Sequence, residues 1–204
     1  MVVMIIKEIA KIVEDACKKK TNRFGYGDWK YHILPVVKYS KLMAKRIGAD
    51  EEIVEIAALL HDYAGIKDYR LFKKHHIHGA RLAEELLKKF KYPPEKIEQV
   101  KHCIISHSGE EKRQAKRETK EAICVANADA MAHFSAIHSL FYLAFMKYKM
   151  NIDEATDFLM AKLERSWNKL SPEGKEIIRD KYEASKKLFG ELVENNKRRN
   201  KKYD

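Results

Sequence analysis

Residues 53–65 read IVEIAALLHDYAG, a run that is apolar nearly all round before it reaches a histidine and an aspartate. An apolar run of this kind is typical of a buried helix. Asp50, followed by two glutamates, is suited to begin that helix, because acidic residues and side-chain caps stabilise a helix N-terminus. The stretch therefore predicts a buried helix that ends at His61 and Asp62.

Helical periodicity extends through the chain on both sides of this stretch. Only 8 Gly and 4 Pro interrupt 204 residues, so few turns are available and long helices are favoured over many short strands. We expect further helices over about 2–20, 28–47, 75–90, 94–107 and 119–134, then two or three more, the last beginning at 171–173. The predicted fold class is all-α.

The connections between these helices carry more specific expectations. Asp28 is expected to cap the second helix, Pro35 to kink or tighten its start, and Gly48 to end it. Residues 63–74 have an irregular pattern. Residues 108–118 are polar and poorly periodic, so we expect an exposed loop there.

The composition indicates a basic protein without disulfides. The formal net charge of +11 favours polyanions, but a lysine-rich surface accounts for it as well, so nucleic-acid binding is left open and not favoured. Cys17, Cys103 and Cys124 lack CxxC spacing, which supports neither a disulfide framework nor a cysteine-rich zinc site. Charged residues follow the apolar N-terminal run at once, so no signal peptide or membrane span is expected, and the cytoplasm is the expected location.

The 9 histidines are unevenly distributed, and most lie between the second predicted helix and the polar loop. These are His32, His61, His75, His76, His78, His102 and His107. Imidazole and carboxylate together are usual ligands of a borderline divalent metal, so the adjacent His61 and Asp62 invite a search for further ligands. Adjacent helical residues diverge by about 100°, so both can meet one ion only at a helix end or where other helices converge.

The order of these residues resembles the HD-domain metal-dependent phosphohydrolases, whose signature is a histidine, then His-Asp, then a distant aspartate. The segment WKYHILPVVKYSKLMAKRIGADEEIVEIAALLHDYAG, residues 29–65, is similar to the opening of that domain. HHIHGARLAEELL and VKHCIISHS are similar to its two middle helices. The resemblance implies His32, His61, Asp62 and Asp129 as ligands of a divalent ion, which could be Mn, Mg, Zn, Co, Ni or Fe.

This resemblance covers about residues 28–134 and sets the expected organisation of a single-domain chain. We expect an N-terminal helix and connecting turn over 1–27, the HD metal-binding domain over 28–134, C-terminal helices packed on the same domain over 135–196, and a basic tail over 197–204. The expected architecture is an HD-domain helical bundle with extra N- and C-terminal helices.

Further residues are assigned roles beside the ion. Asp62 or a neighbouring carboxylate is expected to orient the attacking water, and His75 or His107 to stabilise the phosphoryl charge or assist the leaving group. His78 shares a helix face with His75 and is a second candidate for substrate contact, whereas His76 is expected to point elsewhere.

Basic and aromatic side chains around this region are candidates to bind substrate. Lys67, after the His-Asp pair, is a candidate phosphate-binding cation, although a solvated lysine is the commoner role. The polar loop carries four basic residues, Lys112, Arg113, Lys116 and Arg117. We expect them either to close over an anionic substrate or to form a charged surface turn. Tyr26, Trp29, Tyr31 and Tyr63 are candidates to stack on a nucleobase, and His133 to support Asp129.

The sequence thus predicts a metal-dependent phosphohydrolase that acts on a phosphate ester, such as a nucleotide or a related small molecule, by attack of metal-activated water. Two alternatives stay open. With His75 and His107 added, the order also resembles the di-iron oxygenases and two-metal phosphodiesterases of the superfamily. The other alternative is a basic nucleic-acid- or partner-binding protein with a structural metal. The apolar segment SLFYLAFMKY leaves a homo-oligomer open.

Overall fold

A computed structural model describes residues 2–108 and 116–200, and of residues 192–200 it describes the backbone alone. Within those ranges all regular structure is helical, which confirms the predicted all-α fold. The α-helices are α1 (Val2–Cys17), α2 (Leu34–Ile47), α3 (Glu51–Leu60), α4 (Tyr63–Lys67), α5 (His75–Lys89), α6 (Pro94–Ser106), α7 (Lys120–Ser135), α8 (Ile137–Tyr142), α9 (Ile152–Lys169) and α10 (Pro172–Asn200).

The central helix α3 forms where the apolar run predicts it. Asp50 caps it, because its carboxylate accepts from the backbone N–H groups of Glu52 and Ile53 at 2.9 and 3.2 Å. The side chains of Ile53, Ile56 and Leu60 are fully buried. Each such burial contributes about 1.5–3 kcal/mol relative to exposure, so packing rather than intrinsic propensity fixes this helix.

The other helices pack around α3 in one continuous core. Helix α2 packs against α3 and α7, α5 packs against α6, and α6 contacts both α3 and α7. Helices α9 and α10 cover the outer side of α7, and their residues Leu159, Leu163 and Ile178 join the same cluster of buried residues as Ile9 of α1. The C-terminal helices are therefore part of the core.

The start of α2 differs from the sequence-based expectation. Asp28 does not cap the helix: its backbone is itself helical, with φ −57° and ψ −42°, and its side chain makes no capping hydrogen bond. Residues 29–33 form a π-helical turn, in which Leu34 N–H donates to Trp29 O. Pro35 has no N–H for the usual i→i−4 bond, so the turn before it widens instead of tightening.

The segment expected to be irregular, residues 63–74, is helical in short pieces. Helix α4 is followed by a 3₁₀ segment over Tyr69–Lys74. Asp68 begins that segment, because its carboxylate accepts from the Arg70 backbone N–H at 3.0 Å. The two pieces reverse the chain, so that α5 returns across the end of α3. Short helices without a regular apolar period could not be predicted from the sequence.

Several expectations concern the ends of the described ranges. Residues 109–115, with Lys112 and Arg113 of the predicted loop, lie outside the described residues, as do residues 201–204 of the predicted tail. Helix α10 continues to Asn200, past the predicted start of that tail. Among the described helices, none combines the length and apolar character that a membrane crossing requires.

Candidate metal centre

Four side chains from three parts of the chain meet at the C-terminal end of α3. His32 Nε2 lies 3.1 Å from His61 Nε2, 3.2 Å from Asp62 Oδ2 and 3.6 Å from Asp129 Oδ1. His61 Nε2 lies 3.3 Å from the same Asp62 oxygen. Three of the four residues that the resemblance implied as ligands, His32, His61 and Asp62, form one compact group, and Asp129 of α7 reaches it through its contact with His32 of the π-helical turn.

A second group uses the other oxygen of the same aspartate. Asp62 Oδ1 lies 3.3 Å from His75 Nε2 and 3.7 Å from His107 Nε2, and the two Nε2 atoms are 3.1 Å apart. Asp62 therefore lies between two pairs of imidazole nitrogens, one pair on each carboxylate oxygen. Each pair, together with Asp62, is compact enough to hold a metal ion, and His32, Asp129 and His133 form a third group of this kind.

The three histidines at helix ends are oriented in the same way. In His61, His75 and His107, the Nδ1–H donates to the backbone carbonyl three residues earlier in the chain. The acceptors are Ala58, Phe72 and Ile104, at 2.8, 2.8 and 2.6 Å. This bond fixes the ring and leaves Nε2 directed into the cluster, which is how protein backbones orient metal-binding imidazoles.

The donor set fits a divalent cation. His75 and His107 both donate through Nδ1, so their neutral rings have Nε2 lone pairs that face each other at 3.1 Å. Two facing lone pairs repel unless a proton or a metal ion lies between them. Histidine nitrogens and carboxylate oxygens are the ligands of zinc and of other borderline divalent ions.

The charges inside the cluster are strongly coupled. Burial acts to raise the pKa of Asp62, but His61 and the other surrounding imidazoles hold it well below its usual range. Burial also acts against charged His61, yet Asp62 outweighs it and raises the pKa of His61 to about 9. Burial lowers the pKa of His107 to about 4. The ion-free cluster thus holds a carboxylate and a proton on His61.

Gly79 allows α5 to approach this end of α3 closely. A Cβ at Gly79 would lie 3.2 Å from Ile104 Cγ2 and 3.4 Å from the carbonyl oxygen of His61. A larger side chain would push α5 away from both α3 and α6. His75, one turn earlier on α5, lies with its Nε2 3.3 Å from Asp62 Oδ1.

The cluster opens into a cavity of about 1180 Å³ that is also lined by a wall of cationic side chains. Lys169 donates to Asp129 Oδ2 at 2.6 Å, and both side chains are largely buried. Arg117 donates to the carbonyl oxygens of Ser106 and Lys169 at 3.3 and 3.4 Å, which ties the ends of α6 and α9 together. Lys162 and Arg165 continue this wall along α9.

The cationic residues of α9 follow helical spacing but were missed in the sequence. Phe158, Lys162, Arg165 and Lys169 line the cavity, while Leu159, Leu163 and Ser166, each next to one of them, are buried. Positively charged residues at intervals of three or four, beside an apolar stripe, are the only local signal of such a wall. Which helix would face the cluster depends on tertiary packing.

Two predicted substrate contacts do not line the cavity. Lys67 is exposed, with its ammonium over the ring of Tyr63, and His78 is half-buried on another side of α5. His76, expected to point elsewhere, is instead buried and lines the cavity. The rotation of α5 is set by its packing on α6 rather than by the His75–His78 spacing.

The other candidates are divided between the cavity and the core. Tyr26 and Tyr31 line the cavity, whereas Trp29 is buried in the core and Tyr63 is not in the cavity wall. His133 Nδ1 is 3.0 Å from Ser166 Oγ, and its ring stacks on that of His32 with centroids 5.7 Å apart. His133 can thus support the His32–Asp129 side of the cluster from α7.

Comparisons with known proteins agree with this architecture. The model of the family described as "HD domain" matches residues 29–133. Ribonuclease Y of Desulforudis audaxviator is 35% identical over 101 residues, which are 50% of this chain and 17% of that protein. An uncharacterized protein of Clostridium beijerinckii is 30% identical over 78 residues, 37% of this chain and 50% of that protein. The chain thus spans half or less of the length of these curated relatives.

Solved structures share the fold across nearly the whole chain. Bacillus subtilis YpgQ superposes with a TM-score of 0.72 at 18% identity, covering 95% of this chain and 96% of that one. Its complex with ADP gives 0.70 at 20% identity, covering 93% and 97%. A protein described as "predicted HD superfamily hydrolase" from an uncultured Thermotogales bacterium gives 0.54 at 22% identity, covering 78% and 84%. At these identities, the likeness establishes the fold.

Proposed function

Since the chain belongs to the HD domain family, with an HD hydrolase-like fold, we propose that it is a metal-dependent phosphohydrolase acting on a phosphate ester of a nucleotide or a related small molecule. The observation that carries this proposal is the juxtaposition of an anionic ligand cluster with a cationic wall in one cavity. Asp62 and Asp129 supply negative charge for a cation, and Arg117, Lys162 and Arg165 supply positive charge for an anion.

The proposed site separates two tasks. His32, His61, Asp62 and Asp129 would hold a divalent ion, which, when bound, supplies a Lewis acid and lowers the pKa of a water molecule to about 7. Asp62, beside that ion, would orient the water. Arg117 and the α9 cations bind the phosphate oxygens, and a planar guanidinium suits two oxygens at once.

The size and lining of the cavity support a nucleotide-sized substrate. A volume of about 1180 Å³ exceeds what inorganic phosphate needs. Tyr26 and Tyr31, together with Phe158, offer aromatic faces to a base or another planar group. The name of ribonuclease Y and the ADP complex of YpgQ describe those proteins, and they support the choice of nucleotide chemistry for the first assays of this one.

A two-metal phosphodiesterase is the second candidate, and one specific observation favours it. Asp62 Oδ1 faces His75 and His107, while Asp62 Oδ2 faces His32 and His61. A carboxylate that divides its two oxygens between two ligand sets is suited to bridge a pair of ions. In that case His75 and His107 are ligands rather than the groups that assist the leaving group.

The test is a substrate panel on protein stripped with a chelator and reloaded with Mn, Mg, Zn, Co, Ni or Fe. The panel contains 4-nitrophenyl phosphate, bis(4-nitrophenyl) phosphate, nucleoside mono-, di- and triphosphates and a short RNA, with ion content measured in each sample. We expect ion-dependent phosphate ester hydrolysis that disappears in Asp129→Asn. Two ions per chain with diester hydrolysis would favour the second candidate.

Three results would contradict the proposed function. Hydrolysis of no phosphate ester with any ion would contradict both candidates. Two irons per chain with dioxygen consumption would indicate an oxygenase instead. A tightly held ion without hydrolysis, together with salt-sensitive RNA binding, would indicate a binding protein.

A further inference from the structure

Asp28 is a carboxyl group in the cavity that the ligand cluster does not use. It precedes His32 by four residues, about one helical turn, and lines the same cavity. Because its backbone is helical and its carboxyl caps no N–H group, the side chain is not held by the local structure that the sequence predicted for it. Its position beside the cluster therefore calls for another explanation.

The cavity is lined by three carboxyl groups within the described parts of the chain, and Asp28 differs from the other two. Asp62 contacts four imidazoles, and Asp129 contacts His32 and Lys169. Over the same described residues, the Asp28 carboxyl has neither a hydrogen bond nor an ion pair. Asp62 and Asp129 are therefore stabilised as carboxylate anions by these contacts, whereas Asp28 remains able to carry a proton.

The histidines expected to assist the leaving group are poorly placed for that task. His107 is 2% exposed, and its Nε2 faces Asp62 and His75. His75 has both ring nitrogens engaged, Nδ1 with Phe72 O and Nε2 with Asp62 and His107. A proton donor for the leaving group has to come from another part of the wall, since general acids must reach the departing oxygen.

We propose that Asp28 is the general acid that protonates the leaving-group oxygen during phosphate ester hydrolysis. This assignment rests on the proposed function. A water oxygen forms the new bond to phosphorus, and the bond between phosphorus and the leaving oxygen breaks with its electron pair retained by that oxygen. The proton moves from the Asp28 carboxyl to the leaving oxygen, and the proton released by the attacking water returns through solvent to Asp28.

In the ion-free protein, the surroundings of Asp28 favour its protonated form. Cys17 of α1, His32 of its own helical segment, and His61 and Asp62 at the end of α3 are the titratable groups that act on it. Burial is the largest influence, and Asp62 adds to it, so that together they raise the pKa of Asp28 to about 6 against the opposing effect of the imidazoles. A catalytic acid works best when its pKa is close to the working pH.

The experiment compares two esters with the same phosphoryl group and different leaving groups. 4-Nitrophenolate departs without help, whereas the phenolate of phenyl phosphate is more basic and needs a proton as the bond breaks. The kcat/KM values for 4-nitrophenyl phosphate and phenyl phosphate are measured in wild type, Asp28→Asn, and the control Asp15→Asn on the exposed face of α1. His138→Gln serves as a second cavity variant.

We expect Asp28→Asn to lower phenyl phosphate hydrolysis by about 100-fold or more and 4-nitrophenyl phosphate hydrolysis far less. The ratio of the two rates is taken within one sample, so partial unfolding of a variant does not affect it. Asp15→Asn should keep the wild-type ratio.

An unchanged ratio of the two rates in Asp28→Asn, with or without an equal loss on both esters, would overturn the assignment of Asp28 while the proposed function stands. A changed ratio in His138→Gln would then point to that residue instead. Wild-type protein that hydrolyses neither ester with any ion would instead contradict the proposed function, and the assignment with it.

Discussion

His32 Nε2 and His61 Nε2 lie 3.1 Å apart within a largely buried cluster. His61 Nδ1 donates to Ala58 O, so the proton of a neutral His61 ring is already placed away from His32. The approach is favourable when one of the two nitrogens carries a proton or when a cation lies between them, and Asp62 and Asp129 supply negative charge for that cation. The relationship between these two imidazoles therefore motivates the predictions that follow.

Replacing Asp129 by asparagine should weaken divalent-ion binding by more than about 100-fold, because supporting groups alone are worth about 10- to 100-fold and Asp129 is a direct ligand candidate. Hydrolysis should fall with it. Calorimetric titration of the stripped protein measures the affinity, and circular dichroism should show retained helix. Asp157→Asn, on the exposed side of α9, is the control. Wild-type ion affinity in Asp129→Asn would rule out the cluster as assigned.

The two histidines of α6 and its C-terminal end should differ in importance. His107 Nε2 faces Asp62 Oδ1, whereas His102 Nε2 accepts from the backbone N–H of Glu118 outside the cluster. We expect His107→Ala to lose nearly all hydrolysis and His102→Ala to retain most of it. Steady-state assays on both variants decide the matter. Equal losses would mean that this part of the chain acts through its fold and not through His107.

The fold could be predicted where local and global preferences agree. The run ending at Leu60 is apolar, its cap residue Asp50 is adjacent, and the observed α3 matches the expectation. Asp28 is the instructive failure, because aspartate is a good cap residue and yet its backbone is already helical and its side chain caps no N–H group. The helical backbone runs from Asp28 through the π-helical turn into α2, so this helix begins before the position that the cap rule predicts.

The candidate site could be predicted only in part for a similar reason. The resemblance predicted His32, His61, Asp62 and Asp129 as ligands from their order in the sequence, and these residues lie near one another in the structure. Lys169 comes from α9, outside the segment that resembles the family. Its place at Asp129 depends on the packing of α9 on α7, and on Ser171 N–H, which donates to Asn127 Oδ1 at 2.8 Å. Such contacts between helices that are distant in the sequence cannot be predicted from residue spacing.

Lys169→Met should destabilise the ion-free protein by about 3 kcal/mol, because it leaves the Asp129 carboxylate without its lysine partner. The side chains are 13% and 15% exposed, which favours the lower end of the range for buried pairs. The loss should shrink when the ion is added and in the double variant with Asp129→Asn. Urea unfolding measures each difference, and Lys45→Met on the exposed face of α2 is the control. An unchanged stability in Lys169→Met would contradict the contact.

Ion affinity should rise with pH. In the ion-free protein Asp62 raises the pKa of His61 to about 9 against the effect of burial, so at neutral pH a cation has to displace a proton. Below pH 9 we expect about a tenfold gain in affinity per pH unit, since one proton is released per ion, and a plateau above it. Titrations in two buffers of different ionisation enthalpy count that proton. A pH-independent affinity would contradict the assignment of His61 as a ligand.

The most direct measurement of the central claim is anomalous X-ray diffraction from crystals of the zinc-loaded protein. We predict an anomalous peak about 2.0–2.2 Å from His32 Nε2, His61 Nε2, Asp62 Oδ2 and Asp129 Oδ1. A second peak between Asp62 Oδ1, His75 and His107 would extend the account to two ions. A zinc peak elsewhere in the protein, with these residues contacting only one another, would contradict it.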